Sequence, residues 1–161
     1  MINDDDFTAL VALPDRGRIF ALDPGTKRIG LAVCDELQML SRALKILQRT
    51  SWKKLLVDVR SQLIDLDAVA LVIGLPYNFD GTESEMSGEA RNMAAKFQLS
   101  LAIPIFLQDE RASSYEARGR MWAKGPKANK KMSYVDADAA SIILADFLDR
   151  LSVARARTAA S

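Results

Sequence analysis

The chain has 161 residues, 49% of them hydrophobic, and its 22 Lys and Arg nearly balance its 21 Asp and Glu, for a formal net charge of +1. This length suits one globular domain with a single core, and the near-zero charge gives no argument for or against a polyanionic partner. The sequence has no histidine and one cysteine, which excludes His-ligated zinc, Ser-His-Asp and Cys-His catalysis, and an internal disulfide.

Two further features indicate where the protein works. A lone cysteine fits a reducing compartment. The sequence has neither an apolar stretch of 18 residues nor the charged segment and apolar run of a signal peptide. We therefore expect a cytoplasmic protein that does not insert into a membrane.

The predicted elements begin after an acidic leader. Residues 1–16 carry four aspartates and no hydrophobic period, so we predict a flexible leader with a short packed piece over 7–13. The apolar runs GRIFALD and KRIGLAVCD flank Pro24, Gly25 and Thr26 and predict a β-hairpin. A third strand is predicted over 42–47, and Cys34 is expected to be an inert core thiol.

Helical and strand patterns then alternate. Ser51 precedes a run of helical spacing, and AVALVIGLP follows it as a central strand that we expect to end at Gly74 and Pro76. Thr82 and Glu85 have the spacing of a capping box for the next helix, which is followed by the strand IPIFLQDER. The remaining predictions are a short helix over 113–122, a basic loop over 123–133 and a last helix to about residue 151.

This order of elements predicts the fold class and the domain limits. It favours an α/β fold with a mixed central sheet of about five strands and helices on both faces. We predict one domain over 17–151 and a disordered tail over 152–161, where small and polar residues dominate.

Acidic residues occur where two strands end and where the last helix begins: Asp23, Asp109 with Glu110, and Asp136 with Asp138. Ligand sites in strand–helix folds form at the carboxyl ends of strands. Carboxylates gathered there repel one another unless they share a divalent cation, and Mg²⁺ prefers oxygen ligands. Two such cations can promote phosphodiester hydrolysis without histidine.

Each acid also has a purely structural explanation. Asp23 before Pro-Gly is a common turn composition, and Asp109, Glu110 and Arg111 could form a salt-bridged loop. Asp136 stands three residues after Ser133 and could close a capping box. The metal-site interpretation therefore depends on the joint placement of these acids.

A second charged feature is the segment between residues 117 and 135, which has six basic residues and no acid. These residues are Arg118, Arg120, Lys124, Lys127, Lys130 and Lys131. Such a run is usually a solvated loop, but beside a carboxylate cluster it can bind a nucleic-acid backbone.

Four stretches together resemble the YqgF family, also called RuvX, of bacterial Holliday-junction-resolvase-like proteins. They are LDPGTKRIGLAVCD, VIGLPYNFDGTESEMSGEARNMAAKF, DERASSYEA and KMSYVDADAASIILADFL. The resemblance covers roughly residues 18–151 and implies a ribonuclease H-like fold.

The resemblance also implies an activity and a site. Members of this family are taken to be nucleases that mature the 5′ end of precursor 16S ribosomal RNA. Holliday junction resolution is the older suggestion for their activity. The resemblance places the catalytic, metal-binding acids at Asp23, Glu110 and Asp136, with Mg²⁺ or Mn²⁺ as cofactor. The candidate substrate-binding residues are Thr26, Lys27, Arg28, Arg111, Lys124, Lys127, Lys130 and Lys131.

The expected partner is therefore structured RNA or branched DNA, with ribosomal particles as a further possibility. Two other functions remain open at this point. One is a non-catalytic nucleic-acid or ribosome-associated module. The other is an ATPase, because D-x-G-T also begins the phosphate-binding hairpin of actin- and sugar-kinase-like enzymes, although this chain has room for only one of their two lobes.

Overall fold

A computed structural model describes residues 7–25, 27–76, 80, 82–110 and 132–160, with the backbone alone for 132–137. Its helices are α1 (Phe7–Val11), α2 (Trp52–Asp65), α3 (Glu85–Ser100) and α4 (Met132–Ala160). Its strands are β1 (Arg18–Pro24), β2 (Arg28–Cys34), β3 (Ser41–Gln48), β4 (Ala68–Leu75) and β5 (Ile105–Asp109). The predicted hairpin is β1 and β2, and the predicted third strand is β3.

The five strands form one mixed sheet in the order β3-β2-β1-β4-β5. The pairs β1–β2 and β2–β3 are antiparallel, whereas β1–β4 and β4–β5 are parallel. The central strands are apolar almost throughout because helices cover both of their faces. The predicted α/β architecture is confirmed.

Helices on the two faces of the sheet enclose two separate cores. Side chains alternate along a strand, so Phe20 and Leu22 of β1 pack in the core with α2 and α3. Ile19 and Ala21 pack in the other core, with α1 and α4. Asp23 continues the row of Ile19 and Ala21 and so belongs to the α4 face of the sheet.

The two long central helices begin at serine caps. The prediction for α2 is confirmed, because the Ser51 side chain accepts a hydrogen bond from the backbone N–H of Lys54. The capping box predicted from Thr82 and Glu85 is wrong, because α3 is capped by Ser84, which exchanges hydrogen bonds with Ser87. Thr82 is engaged elsewhere, since its backbone and hydroxyl both donate to the Asp80 carboxylate, at 2.9 and 2.6 Å.

Strand β4 lies within the stretch AVALVIGLP that its sequence pattern predicted, and it ends between Gly74 and Pro76. It runs to Leu75 and contains Gly74, which pairs with Gln108 of β5. The buried Ser87 hydroxyl donates to the Pro76 carbonyl at 2.5 Å. The start of α3 is thereby fixed to the end of β4.

The C-terminal helix is longer than predicted and packs against the N-terminal segment. Residues 152–160, which we expected to be disordered, continue α4. Ala154 is buried in the same core as Leu10 and Leu13, and Arg155 donates a hydrogen bond to the Pro14 carbonyl at 2.9 Å. The packed piece predicted within the leader is thus present as α1, and it supplies the partner surface that stabilises the end of α4.

The other predictions can be compared with the structure only where it describes the residues concerned. Cys34 is buried, and its burial raises the pKa of the thiol above the usual value, as expected for a core thiol. The short helix over 113–122 and the basic loop over 123–133 fall almost entirely outside the described residues. In the part of the chain that is described, no helix combines the length and apolarity needed to cross a membrane.

Candidate functional site

Two acidic side chains from distant parts of the sequence meet at the carboxyl ends of the parallel strands. Asp23 lies near the end of β1, and Glu110 directly follows β5. The Glu110 N–H donates to the Leu75 carbonyl at 3.1 Å, which extends the pairing of β4 and β5 by one residue. The carboxyl groups of Asp23 and Glu110 share a hydrogen bond.

The alternation of side chains along the strands explains why these two acids meet. In β5, Leu107 faces the core with α2 and α3, whereas Phe106 faces the core with α4. Glu110 has the same parity as Phe106, and Asp23 also lies on the α4 face. Asp109 has the parity of Leu107, so it belongs to the opposite face. The sequence leaves open whether Asp109 or Glu110 lies beside Asp23. In the structure the neighbour of Asp23 is Glu110.

The environment of Glu110 disfavours its ionised form. Burial raises the pKa of this carboxyl group to about 8, and the negative charge of Asp23, the hydrogen bond with Asp23 and the charge of Asp109 act in the same direction. Its Oε2 atom is buried, and within the described residues it has no hydrogen-bond partner. At neutral pH the pair therefore holds one proton between two carboxyl groups.

This arrangement fits a divalent cation. Carboxylate oxygens are the ligands that Mg²⁺ and Mn²⁺ prefer, and a cation would replace the shared proton and give the buried Oε2 a partner. The described side chains form no group of three or more His, Cys, Asp or Glu that could hold a metal ion. The third predicted ligand, Asp136, lies in α4, but its side chain is outside the described residues.

The turn between β1 and β2 lies at the same end of the sheet as the two acids. Lys27 is exposed and Arg28 half-buried. Arg49 holds the turn, because its backbone N–H donates to the Lys27 carbonyl and its guanidinium to the Gly25 carbonyl, both at 2.9 Å. A Cβ at Gly25 would collide with the Arg28 carbonyl oxygen, so the close turn requires glycine there.

Sequence reasoning missed Arg49. Its signal was present, because Arg49 directly follows β3 and β3 pairs with β2 beside the turn. A basic residue after an edge strand is, however, common on any surface.

An open pocket of about 300 Å³ lies on the other face of the sheet. It is lined by residues that include Arg49, Trp52, Glu89 and Lys96. Its walls come largely from α2 and α3, so it does not contain Asp23 or Glu110.

The remaining predicted site residues are not part of the described geometry. Thr26, Arg111, Lys124, Lys127, Lys130 and Lys131 lie outside the described residues. Asp138 is described and half-buried on α4. The structure thus brings together Asp23 and Glu110 and places Lys27 and Arg28 at the same end of the sheet.

Solved structures share this fold. The chain superposes on the T. thermophilus RuvC bound to a Holliday junction with a TM-score of 0.51, 14% identity, and coverage of 79% of this chain and 91% of the other. For the fowlpox virus resolvase bound to Holliday junction DNA, the TM-score is 0.52, with 12% identity and coverage of 83% and 98%. At these identities the likeness establishes the ribonuclease H-like fold and nothing further.

Curated relatives are similar over nearly their whole length. A protein of Anaeromyxobacter dehalogenans named "Putative pre-16S rRNA nuclease" is 39% identical over 133 residues, which cover 83% of this chain and 97% of that protein. Proteins of the same name from Syntrophus aciditrophicus and Rhodobacter capsulatus are 36% and 34% identical, with coverage of 84% and 92% of this chain. Coverage of those two proteins is 90% and 92%.

The match to a sequence family spans the whole sheet, α2, α3 and most of α4. A family model named RuvX and described as Holliday junction resolvase matches residues 17–150. Together with the relatives and the fold, this match shows that the chain belongs to the RuvX family.

Proposed function

We propose that the protein is a Mg²⁺- or Mn²⁺-dependent endonuclease that hydrolyses phosphodiesters of structured RNA, and that it matures the 5′ end of precursor 16S ribosomal RNA. The observation that carries the proposal is the buried carboxyl pair of Asp23 and Glu110, with its unpartnered oxygen. The RNA substrate is suggested by the names of the curated relatives. The absence of histidine leaves carboxylates as the natural ligands for a hydrolytic metal site.

Three acids would hold the cation in this proposal. Asp23 and Glu110 provide carboxylates from β1 and the end of β5. Asp136 precedes Ala140 by four residues and Ile143 by seven in α4, and both of these residues face the sheet core. This spacing assigns position 136 to the same helical stripe, which supports Asp136 as the third ligand.

The proposed roles divide between cation and substrate. A bound divalent cation would polarise the phosphodiester and stabilise negative charge in the transition state. Asp23 and Glu110 would release their shared proton when the cation binds. Lys27 and Arg28, at the same end of the sheet, would contact the phosphate backbone and orient it. A single cysteine, buried and free, suits the cytoplasm as the place of this activity.

Holliday junction resolution is the second candidate function. The description of the matching family and the resolvase fold favour it. The same carboxyl pair would serve the reaction, because the phosphodiester chemistry is the same in DNA and RNA. The two candidates therefore differ in the nucleic acid that binds.

Cleavage assays distinguish these candidates. The purified chain is incubated with 5′-extended 16S RNA or with a four-way DNA junction, each with Mg²⁺, with Mn²⁺ or with EDTA. We expect metal-dependent shortening of the RNA 5′ end and little cleavage of the junction. Cleavage of the junction alone would establish the second candidate, and binding without cleavage in any metal would establish a non-catalytic module.

The lysine-rich segment between residues 117 and 135 gives a prediction for nucleic-acid binding. Replacing Lys127, Lys130 and Lys131 by Gln is expected to weaken RNA binding. It should also make the negative slope of log association constant against log salt concentration shallower by about 2. The physical reason is the loss of counterion release at up to three phosphates. Fluorescence anisotropy across a salt series measures both quantities.

A matched triple variant controls for the change in net charge. Lys45, Lys53 and Lys54 are exposed on β3 and α2, and their replacement by Gln should leave most of the slope intact. Equal slopes in the two triple variants would remove the role assigned to the lysine-rich segment.

A further inference from the structure

Gly74 lies in β4 between the strands that carry the two carboxylates. β4 pairs with β1 on one side and with β5 on the other. Ala70 and Val72 pack in the core with α4, so position 74 shares that face by alternation. Because neighbouring strands are about 4.8 Å apart, β1 and β5 are separated by about 10 Å across β4. The Glu110 side chain must cross position 74 to reach Asp23.

The space above Gly74 is filled by Glu110 and by α4. A Cβ at position 74 would lie 2.5 Å from Glu110 Oε2 and 2.6 Å from Ile143 Cδ1. Both distances are far shorter than van der Waals contact, so an alanine there requires one or both neighbours to move. Glu110 Oε2 therefore lies against Gly74, and Ile143 packs on the same spot from α4.

Backbone conformation does not explain this glycine. Within the described residues, Gly17 is the glycine with a positive φ, so position 74 has a φ that other residues adopt. A glycine inside a strand otherwise weakens it. The requirement at position 74 is therefore for space.

We propose that Gly74 is a positioning residue that sets the spacing of the Asp23–Glu110 pair. A side chain at position 74 would displace the Glu110 carboxyl group from Asp23 and separate the two oxygens that we assign to the cation. The consequence for the cation rests on the proposed function. The placement of Glu110 against Asp23 is independent of the proposed function.

The test separates the two contacts of position 74. Gly74→Ala alone would meet both Glu110 and Ile143, so it is combined with Ile143→Val, which removes Cδ1. The next Ile143 atom, Cγ1, is 3.5 Å from the position that the alanine methyl carbon would take, an ordinary contact. Ile143→Val alone is the reference for lost packing. Gly88→Ala is the matched glycine control, because a Cβ there has nothing within 4 Å.

Two measurements are made on these variants. Crystal structures without metal should show the Asp23–Glu110 hydrogen bond in Ile143→Val and its loss in the double variant. Calorimetric titration with Mn²⁺ should show binding at least about tenfold weaker in the double variant than in Ile143→Val, as for other changes that misplace a ligand. Gly88→Ala should bind Mn²⁺ like the wild type.

Each outcome decides the inference. An intact Asp23–Glu110 hydrogen bond in the double variant, or equal Mn²⁺ affinity in the double and single variants, would overturn it. A wild type that binds no Mn²⁺ would defeat the proposed metal site, while the crystal structures would still decide the role of Gly74.

A stability cycle covers the case in which the double variant folds too poorly to crystallise. The shift in urea midpoint caused by Gly74→Ala is measured in Ile143→Val and again in Ile143→Val with Glu110→Ala. We expect a smaller shift when Glu110 is absent, because the clash is then removed. An equal shift in both backgrounds would show that Glu110 is not what position 74 accommodates.

Discussion

Asp23→Asn is expected to lower the rate of precursor 16S RNA cleavage by at least about 100-fold, the scale on which removing one charge-stabilising group acts. Asparagine preserves the size of the side chain and can still hydrogen-bond to Glu110, but it removes one of the two negative charges that would hold the cation. Single-turnover rates at saturating Mg²⁺ measure the loss. Mn²⁺ titration should show weaker binding in the same variant.

Two carboxylates serve as controls for this substitution. Asp58 is on α2, where it pairs with Lys54 at 3.1 Å, and Asp58→Asn should retain wild-type cleavage. Asp109→Asn removes the acid next to Glu110 but on the other face of β5, and its effect should be much smaller than that of Asp23→Asn. Unchanged cleavage by Asp23→Asn would contradict the proposed function.

The proximity of Asp23 to the acids at the end of β5 could be predicted from general rules of α/β folds. Apolar runs indicated the strands, and the carboxyl ends of parallel strands meet at one edge of a sheet. The choice between Asp109 and Glu110 could not be predicted, because it depends on which residues of β5 face α4. That parity is fixed by the packing of Phe106 against Phe147 of α4, with ring centroids 5.2 Å apart.

Only one of the two meanings of Gly74 was predicted from the sequence. A glycine beside Leu75 and Pro76 was interpreted as the end of the strand, because Gly and Pro interrupt regular structure. An isolated glycine inside a strand pattern also indicates a close approach by another group. The neighbour that approaches, Glu110, is 36 residues away in the sequence, and local pattern contains no information about it.

The ends of two helices were mispredicted for a related reason. Both Thr82 and Ser84 are good capping residues, and the Asp80 carboxylate decides between them by binding Thr82. The segment after Leu151 is polar when taken alone, but Ala154 packs in the core that includes α1. Contacts outside the local pattern therefore determine both boundaries.

Glu110→Gln is expected to stabilise the metal-free protein at pH 8 relative to the wild type, by an amount on the order of a few kcal/mol. The wild-type carboxyl group has a pKa of about 8 in the folded state against a reference value of 4.5. Below pH 4.5 the carboxyl group is protonated in both the folded and the unfolded state. Its ionisation therefore does not lower the free energy of unfolding in that range. Between pH 4.5 and 8 the unfolded state loses the proton first, and stability falls as pH rises.

Urea unfolding in EDTA at pH 5, 6.5 and 8 measures this difference. The advantage of Glu110→Gln over the wild type should grow from pH 5 to pH 8, because glutamine has no proton to lose and changes in other groups cancel in the comparison. Glu36→Gln, on an exposed turn, is the matched control and should shift the free energy of unfolding by less than about 0.5 kcal/mol. Added Mn²⁺ should stabilise the wild type at pH 8 more than it stabilises Glu110→Gln, because the cation takes the place of the proton. Parallel stability curves for wild type and Glu110→Gln from pH 5 to pH 8 would mean that Glu110 is not held against Asp23 as a buried carboxyl pair.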